Sequence, residues 1–293
     1  MAQTKKTVVA IGKFDGVHTG HKKLLKTASE LAKKAGFVSV AFVIANDKSS
    51  GLMLPCDREQ TIKNVGIDNV IVQNLTPDFM NMSDAEFVKN ILLNKLNCDH
   101  VVVGYNFRFA KGRSSDAADL KELCAKYGIG CTVIPEVVCE TSNGKNVSAS
   151  SSNIKESLLI GDVKTASTIL GRKYYVSGEV VYGKQIGRTI NTPTANVKIA
   201  KNIILPQNGV YSANVYVDGK KYLSVTNIGD NPTVNSDGNI TVESYILDFK
   251  KDIYGKNIVL EFIDKIRDEK KFSSLEELKQ QIQKDIKTAL LTK

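Results

Sequence analysis

The sequence predicts two unlike halves: an amino-terminal α/β half built on a parallel sheet, and a carboxyl-terminal all-β half closing into a small barrel with a terminal helix. Three observations carry this. At 293 residues the chain exceeds one ordinary hydrophobic core and fits two domains of roughly 150 residues. Short apolar runs alternate with helical patterns up to about residue 138, which is the pace of βαβ units. From about Tyr174 the apolar period changes to two, with glycine turns between the runs.

Val8–Ile11 reads as a buried strand, and Leu24, Leu25, Ala28, Leu31 and Ala32 recur at helical spacing between Gly20 and Lys34. There follow a strand at Val38–Ile44, a short helix at Asp57–Val65, a strand at Val70–Val72 and a helix at Ser83–Leu96. Ser83 and Glu86 make a capping box for that helix. Val101–Val103 is a strand, Asp116–Tyr127 a helix and Thr132–Val138 a strand. Ligands of such sheets bind beyond the carboxyl ends of the strands, which points to the loops after Ile11 and Val103. The polar, serine-rich run Asn143–Asn153 and two helical segments, Ile154–Ile160 and Val163–Leu170, separate the halves. The expected division is residues 1–157, a helical linker at 158–172, and residues 173–293.

In the second half Tyr211, Ala213, Val215 and Val217 alternate with polar neighbours, and Asp218-Gly219 turns the chain into Lys221–Asn227. Asp237-Gly238 and Tyr254-Gly255-Lys256 punctuate further strands. Ser274 and Glu277 cap a last helix, whose Leu275, Leu278, Ile282, Ile286 and Leu290 form one stripe expected to pack on the barrel.

Composition narrows the function classes. Hydrophobic residues at 42% and charged residues at 24% are those of a globular chain, not a disordered one. Forty Lys and Arg against 31 Asp and Glu leave +9, which suits a phosphate-rich partner. No apolar run approaches the roughly 18–20 residues of a membrane span, and the apolar stretch at Val8–Ile11 is too short for a secretory signal. Cys56, Cys98, Cys124, Cys131 and Cys139 are odd in number and lack C-x-x-C spacing, so buried free thiols in a reducing cytoplasm are expected.

Two of the three histidines lie in Gly12-Lys13-Phe14-Asp15-Gly16-Val17-His18-Thr19-Gly20-His21, behind the first strand and at a helix start. Glycines there allow close backbone approach, and the helix N-terminus offers free N–H groups. Two imidazoles at that end can hold a triphosphate and stabilise developing charge. Ser151, Ser152 and Lys155 sit at a second helix start, where Asn153 and Glu156 have capping-box spacing. In the second half, Gly178 to Gln185 falls one residue short of a P-loop, lacks its hydroxyl and precedes no helix pattern. Thr194 and Asn196 lie two apart, so in extended chain both side chains face one way, as hard oxygen ligands for one Mg²⁺.

These stretches, in order, resemble the bacterial bifunctional riboflavin kinase/FMN adenylyltransferases. The first carries the H-x-G-H signature of the nucleotidyltransferase superfamily, which implies a Rossmann-like fold. Gly104-Tyr105-Asn106-Phe107-Arg108-Phe109 resembles that family's flavin loop. Gly178–Asn196, Asn227–Thr233, Val242–Phe249, Asp252–Gly255 and Arg267–Phe272 resemble its kinase half. The resemblance implies phosphorylation of riboflavin to FMN by ATP with Mg²⁺, then adenylylation of FMN to FAD. It implies a nucleotide site at Gly12, Phe14, Asp15, Gly20, Ser151, Ser152 and Lys155, with His18 and His21 on the phosphates. It implies a second nucleotide site at Gly178, Gly183, Lys184 and Arg188, with Glu243 as general base. Asn106, Arg108, Arg267 and Glu269 would meet flavin, although Arg267 and Glu269 equally suit ion-pair packing.

The chain departs from the family pattern in places. Lys155 stands for an arginine, Phe42–Asn46 for a segment with proline and histidine, Ala110 for a glycine, and Ser244-Tyr245 for threonine–histidine. A kinase with a degenerate first half is therefore one alternative. A basic nucleic-acid-binding protein is another, although the barrel half lacks an aromatic RNA-binding run. Neither a nucleic-acid partner nor a membrane is expected.

Overall fold

The computed structural model describes residues 5–46, 50–183, 192–230 and 240–292. Lys184, Arg188 and the Asp237-Gly238 turn lie outside them. The chain forms two compact units: residues 1–139 with 148–151, and residues 140–147 with 152–293.

The first unit carries β1 (Thr7–Gly12), α1 (Thr19–Ala35), β2 (Val38–Ala45), α2 (Pro55–Asn64), β3 (Asn69–Asn74), α3 (Pro77–Met80), α4 (Asp84–Glu86), β4 (Cys98–Gly104), the short strands β5 (Arg108–Phe109) and β6 (Ser115–Asp116), α5 (Ala117–Lys126) and β7 (Gly130–Ile134). The sheet order is β3-β2-β1-β4-β7, and every pair is parallel. Alternation along the strands builds two cores. Val8 and Ala10 pack with Leu24, Leu25 and Ala28 of α1, while Val9 and Ile11 pack with Phe87, Leu92 and Leu120 on the other face. Because β2 and β4 flank β1 and the chain winds outward on both sides, the order reverses between β1 and β4. Their two carboxyl-end loops therefore open at one crevice.

The Ser83–Glu86 capping box forms in both directions. Beyond it the expected α-helix is wound as a π-helix from Phe87 to Lys95, closed by Leu96 N–H to the Ile91 carbonyl at 3.0 Å. Phe87, Val88, Ile91 and Leu92 still face the sheet.

A hairpin of β8 (Val138–Glu140) and β9 (Asn146–Ser148) leads to α6 (Ser151–Leu159) and α7 (Val163–Leu170). α6 starts at Ser151, so Asn153 sits in its first turn rather than capping it, and the Asn153 carbonyl accepts from the Ser157 hydroxyl at 2.8 Å.

The second unit is a closed antiparallel barrel of order β10-β11-β14-β13-β12-β15, built from β10 (Tyr175–Val181), β11 (Ala195–Ile199), β12 (Gly209–Val217), β13 (Lys220–Asp230), β14 (Ile240–Ile246) and β15 (Asn257–Arg267). Closure leaves the barrel without free edges. Asp218, with φ 49°, and Gly219, with φ 75°, make the β12–β13 turn. Helix α8 (Leu275–Leu291) packs on the barrel. Its buried positions are Asp285 and Ala289, while Leu275 and Leu290, the ends of the expected stripe, are exposed. Ile286, from the middle of that stripe, packs with Ala289 against Val210 and Val225, and Asp285 pairs with Arg267 beside them.

Candidate functional site

The loop after β1 is under backbone strain. Phe14, Gly16 and Val17 all take positive φ (51°, 81° and 42°), which is costly for an aromatic and a β-branched residue. A Cβ at Gly12 would press on the Phe14 ring at 3.1–3.3 Å, so glycine is needed at the strand end. Phe14 is fully buried and meets the His21 ring edge-on at 5.2 Å, which makes it the floor of the loop. The Asp15 carboxylate accepts the Leu52 N–H at 2.7 Å, and its carbonyl accepts the Ser151 hydroxyl at 2.8 Å, tying the loop to two neighbouring segments.

His18 caps α1: its Nδ1 accepts the His21 backbone N–H at 3.3 Å. A neutral His18 then carries its proton on Nε2, which becomes a donor. The two rings stack with 3.6 Å between centroids. Burial pushes His18 down to about 4 and His21 well below its ordinary value, with neighbouring His18 adding to the latter. Both are therefore neutral at pH 7. The His21 Nδ1 is buried with no hydrogen-bond partner, an orphan polar atom of the kind a ligand satisfies. A Cβ at Gly20 would crowd the His18 ring at 3.2 Å. Thr19, between the histidines, contacts the Cys139 thiol through its hydroxyl at 3.3 Å, a contact no sequence pattern announced.

Asn106 and Arg108 lie on the neighbouring loop after β4. Asn106 is exposed, and Arg108 reaches Asp116 at 3.8 Å with half its side chain in water. Ala110 ends this loop at φ 64°, ψ 179°, a region essentially reserved for glycine. Ser151 belongs to the first unit; Ser152, which is exposed, and Lys155, which is half-buried, follow it on α6 within the second.

In the barrel, Asn196, Glu243 and Asn227 form one cross-strand row over β11, β14 and β13. Neighbours Val242 and Ser244 point inward, so this row stands on the outer face of the barrel. The Thr194 hydroxyl donates to Glu243 Oε2 at 3.4 Å. A Cβ at Gly183 would collide with the Asn196 carboxamide, and one at Gly178 with the Lys198 carbonyl. Both glycines thus serve close approach, and Gly178 lies within β10 rather than in a phosphate loop. Among the described residues no group of three or more His, Cys, Asp or Glu is placed to hold a metal. Thr194 and Asn196 instead offer two hard oxygens, which suits Mg²⁺, an ion that keeps waters and phosphate oxygens as its remaining ligands.

Thr194 also lines a cavity of about 260 Å³ with Val180, Pro193, Ile246 and Tyr254. Tyr182, largely exposed, stacks on Tyr254 at 3.9 Å. The walls of this cavity come from three separate segments, each overlapping a stretch that resembles the kinase half. Glu269 lies over Gly229, where a Cβ would collide with its carboxylate and press on the Asn227 amide at 3.1 Å. Arg267 makes the ion-pair packing that the sequence left open for it: Nε and Nη2 bind Asp285 at 2.8–3.1 Å, and Nη1 binds the Asp268 carbonyl at 2.9 Å.

All five cysteines are free, but only Cys98 and Cys124 are buried; Cys56 is exposed and the other two are intermediate. Among the described residues no helix is long and apolar enough to cross a membrane.

Comparison with known proteins matches each half to its own family model. The FAD synthetase family model matches residues 1–151, and the riboflavin kinase model matches residues 170–292. A bifunctional riboflavin kinase/FMN adenylyltransferase of Buchnera aphidicola is 35% identical, over 96% of this chain and 91% of its own length. That of Bacillus subtilis is 34% identical, over 97% and 92%. Among solved structures, one described as a macrolide-efflux protein from Streptococcus pneumoniae superposes with a TM-score of 0.86 at 29% identity, covering 99% of this chain and 95% of that one. With both halves matched and full-length relatives above 30% identity, the chain belongs to the bifunctional riboflavin kinase/FMN adenylyltransferase family.

Proposed function

We infer that this chain makes flavin cofactors in two ATP-dependent steps, riboflavin to FMN and FMN to FAD. The observation that carries the reading is the presence of both catalytic halves in one chain, each with its own cluster of polar groups. The first half is matched in full, which favours the two-step reading over a kinase with a degenerate partner. We assign residues 1–157 to adenylylation, 158–172 to a linker and 173–293 to phosphorylation.

For phosphorylation, Glu243 accepts the proton of the riboflavin 5′-hydroxyl as that oxygen attacks the γ-phosphorus of ATP and ADP departs. The Thr194 hydroxyl at 3.4 Å keeps one Glu243 oxygen in place, and Asn227 and Asn196 flank it in register. Such transfers pass through a loose transition state, so positioning contributes more than base strength. Thr194 and Asn196 would hold Mg²⁺, which, when bound, neutralises charge on the phosphates. The cavity beside Thr194 suits the nucleotide. The family resemblance assigns Gly178, Gly183, Lys184 and Arg188 to binding the same nucleotide. Glu269 lines the riboflavin side.

For adenylylation, an FMN phosphate oxygen attacks the α-phosphorus of a second ATP, and pyrophosphate leaves. Neutral His18 donates from Nε2 and His21 from its ring to the phosphate oxygens, where negative charge grows. Using neutral donors avoids burying an unpaired charge when the site is empty. The α1 N-terminus adds a positive dipole end. Gly12, Phe14, Asp15 and Gly20 shape this loop, and the family resemblance assigns Ser151, Ser152 and Lys155 to nucleotide binding. Asn106 and Arg108 receive the flavin across the crevice between β1 and β4. The five free thiols support a cytoplasmic location.

Single substitutions test the assignment by separating the steps. His21→Ala should abolish FAD formation from FMN and leave FMN formation from riboflavin intact, and Glu243→Ala should do the reverse. Loss of both products in either variant of native fold would overturn it.

A further inference from the structure

The Asp285 carboxylate is buried on a helix whose other buried position is an alanine, yet it carries a dense set of partners. Arg267 Nε donates to both its oxygens at 3.0 and 3.1 Å, Arg267 Nη2 donates at 2.8 Å, and Gln281 Nε2 donates at 2.8 Å. Arg267 is the last residue of β15. Its Nη1 holds the Asp268 carbonyl at 2.9 Å, and its guanidinium lies 5.7 Å from the Phe272 ring centre. At the far end of the segment, Lys270 pairs with Glu277 at 3.0 Å, and Ser273 donates to Glu277 through its N–H and hydroxyl. The segment between β15 and α8 is therefore pinned at both ends to α8. Its middle carries Glu269, over Gly229 and next to Asn227, which is the strand partner of Glu243.

A buried ion pair is a poor way to attach a helix, because desolvation offsets most of the Coulomb gain and an apolar pair of similar volume serves equally well. What a forked, bidentate pair supplies is direction. We propose that Asp285 is a positioning residue for riboflavin phosphorylation: acting through Arg267, it holds the 268–272 segment so that Glu269 stands beside Asn227, the strand partner of Glu243, at the flavin side of the site. This rests on the reading of the barrel as the riboflavin-phosphorylating unit with Glu269 on the riboflavin side. It makes Arg267 a bracket rather than a ligand of flavin.

The test compares the full-length parent chain with the apolar swap Arg267→Met/Asp285→Leu and with Asp285→Asn. Conversion of FMN to FAD by the first unit serves as an internal control for folding. The apolar swap should raise the KM for riboflavin at least tenfold, with the KM for ATP and the FAD-forming rate within twofold of the parent. Asp285→Asn, which keeps shape and loses charge, should raise the riboflavin KM about threefold. A riboflavin KM unchanged in both variants would overturn the proposal, as would equal rises in both KM values. If the swap does not fold, the Asp285→Asn result alone decides. A parent chain that forms no FMN from riboflavin would instead bring down the underlying reading of the barrel.

Discussion

His18 and His21 stack ring on ring with 3.6 Å between centroids, while the His18 Nδ1 accepts the His21 backbone N–H at 3.3 Å. One contact thus caps α1, fixes the tautomer of His18 and leaves its Nε2–H as a donor. Asparagine caps a helix as well as any residue but cannot place a donor where Nε2 stands. His18→Asn should therefore change stability by no more than about 1 kcal/mol. It should slow FAD formation roughly 10²–10³-fold, the cost of losing one pre-aimed donor. Steady-state rates with FMN as substrate check this, and a loss of stability equal to the loss of rate would contradict it.

The same burial makes the first unit acid-sensitive. His18 holds at about 4 in the folded chain, against an ordinary value of 6.5, so between those values the unfolded chain binds more protons. Stability is full above about pH 6.5 and falls as pH drops toward 4, by on the order of 3 kcal/mol from this residue. Urea midpoints at pH 7.5 and pH 5 should differ in that direction, and His18→Asn should flatten the difference. A midpoint independent of pH would exclude a buried neutral pair.

Ala110 holds φ 64° and ψ 179° between Phe109 and Lys111. Such a conformation costs a residue with a Cβ about 1–3 kcal/mol, against 0.4–1 kcal/mol for the extra chain freedom of glycine. Ala110→Gly should accordingly stabilise the protein by about 1 kcal/mol and raise its Tm by a few degrees. Calorimetry reads this directly; a lower Tm would mean that the Ala110 methyl contributes packing that outweighs the strain.

In the barrel, Thr194 serves two parts of the proposed chemistry, the orientation of Glu243 and an oxygen for Mg²⁺. Thr194→Ser keeps the hydroxyl and Thr194→Val keeps the shape. The serine variant should retain FMN formation within about tenfold, and the valine variant should lose roughly 10²-fold or more. Both should adenylylate supplied FMN at the parent rate. Equal activity of the two variants would remove the hydroxyl from the mechanism.

Sequence patterns carried most of this architecture because periodicity reports which face is buried. Val8 and Ala10 against Val9 and Ile11 already describe a strand covered on both sides. The π-helical winding at Phe87–Lys95 was hidden, since its buried residues keep a spacing that an α-helix also produces. The tilt of α8 was hidden for another reason. The stripe from Leu275 to Leu290 looks apolar throughout, but its ends are exposed and one of the two fully buried positions is the charged Asp285, paired with Arg267. The two family halves were legible as ordered motifs. What the motifs did not contain was the partner of each side chain, such as Ser151 on the Asp15 carbonyl or Tyr182 on Tyr254.

Everything turns on two working ATP sites in one chain. The most direct test is a chromatographic time course of the purified protein with riboflavin, excess ATP and Mg²⁺. FMN should appear first and then give way to FAD, with ADP and pyrophosphate released in turn. FMN that accumulates and never becomes FAD, at saturating ATP and long incubation, would contradict the role given to the paired histidines.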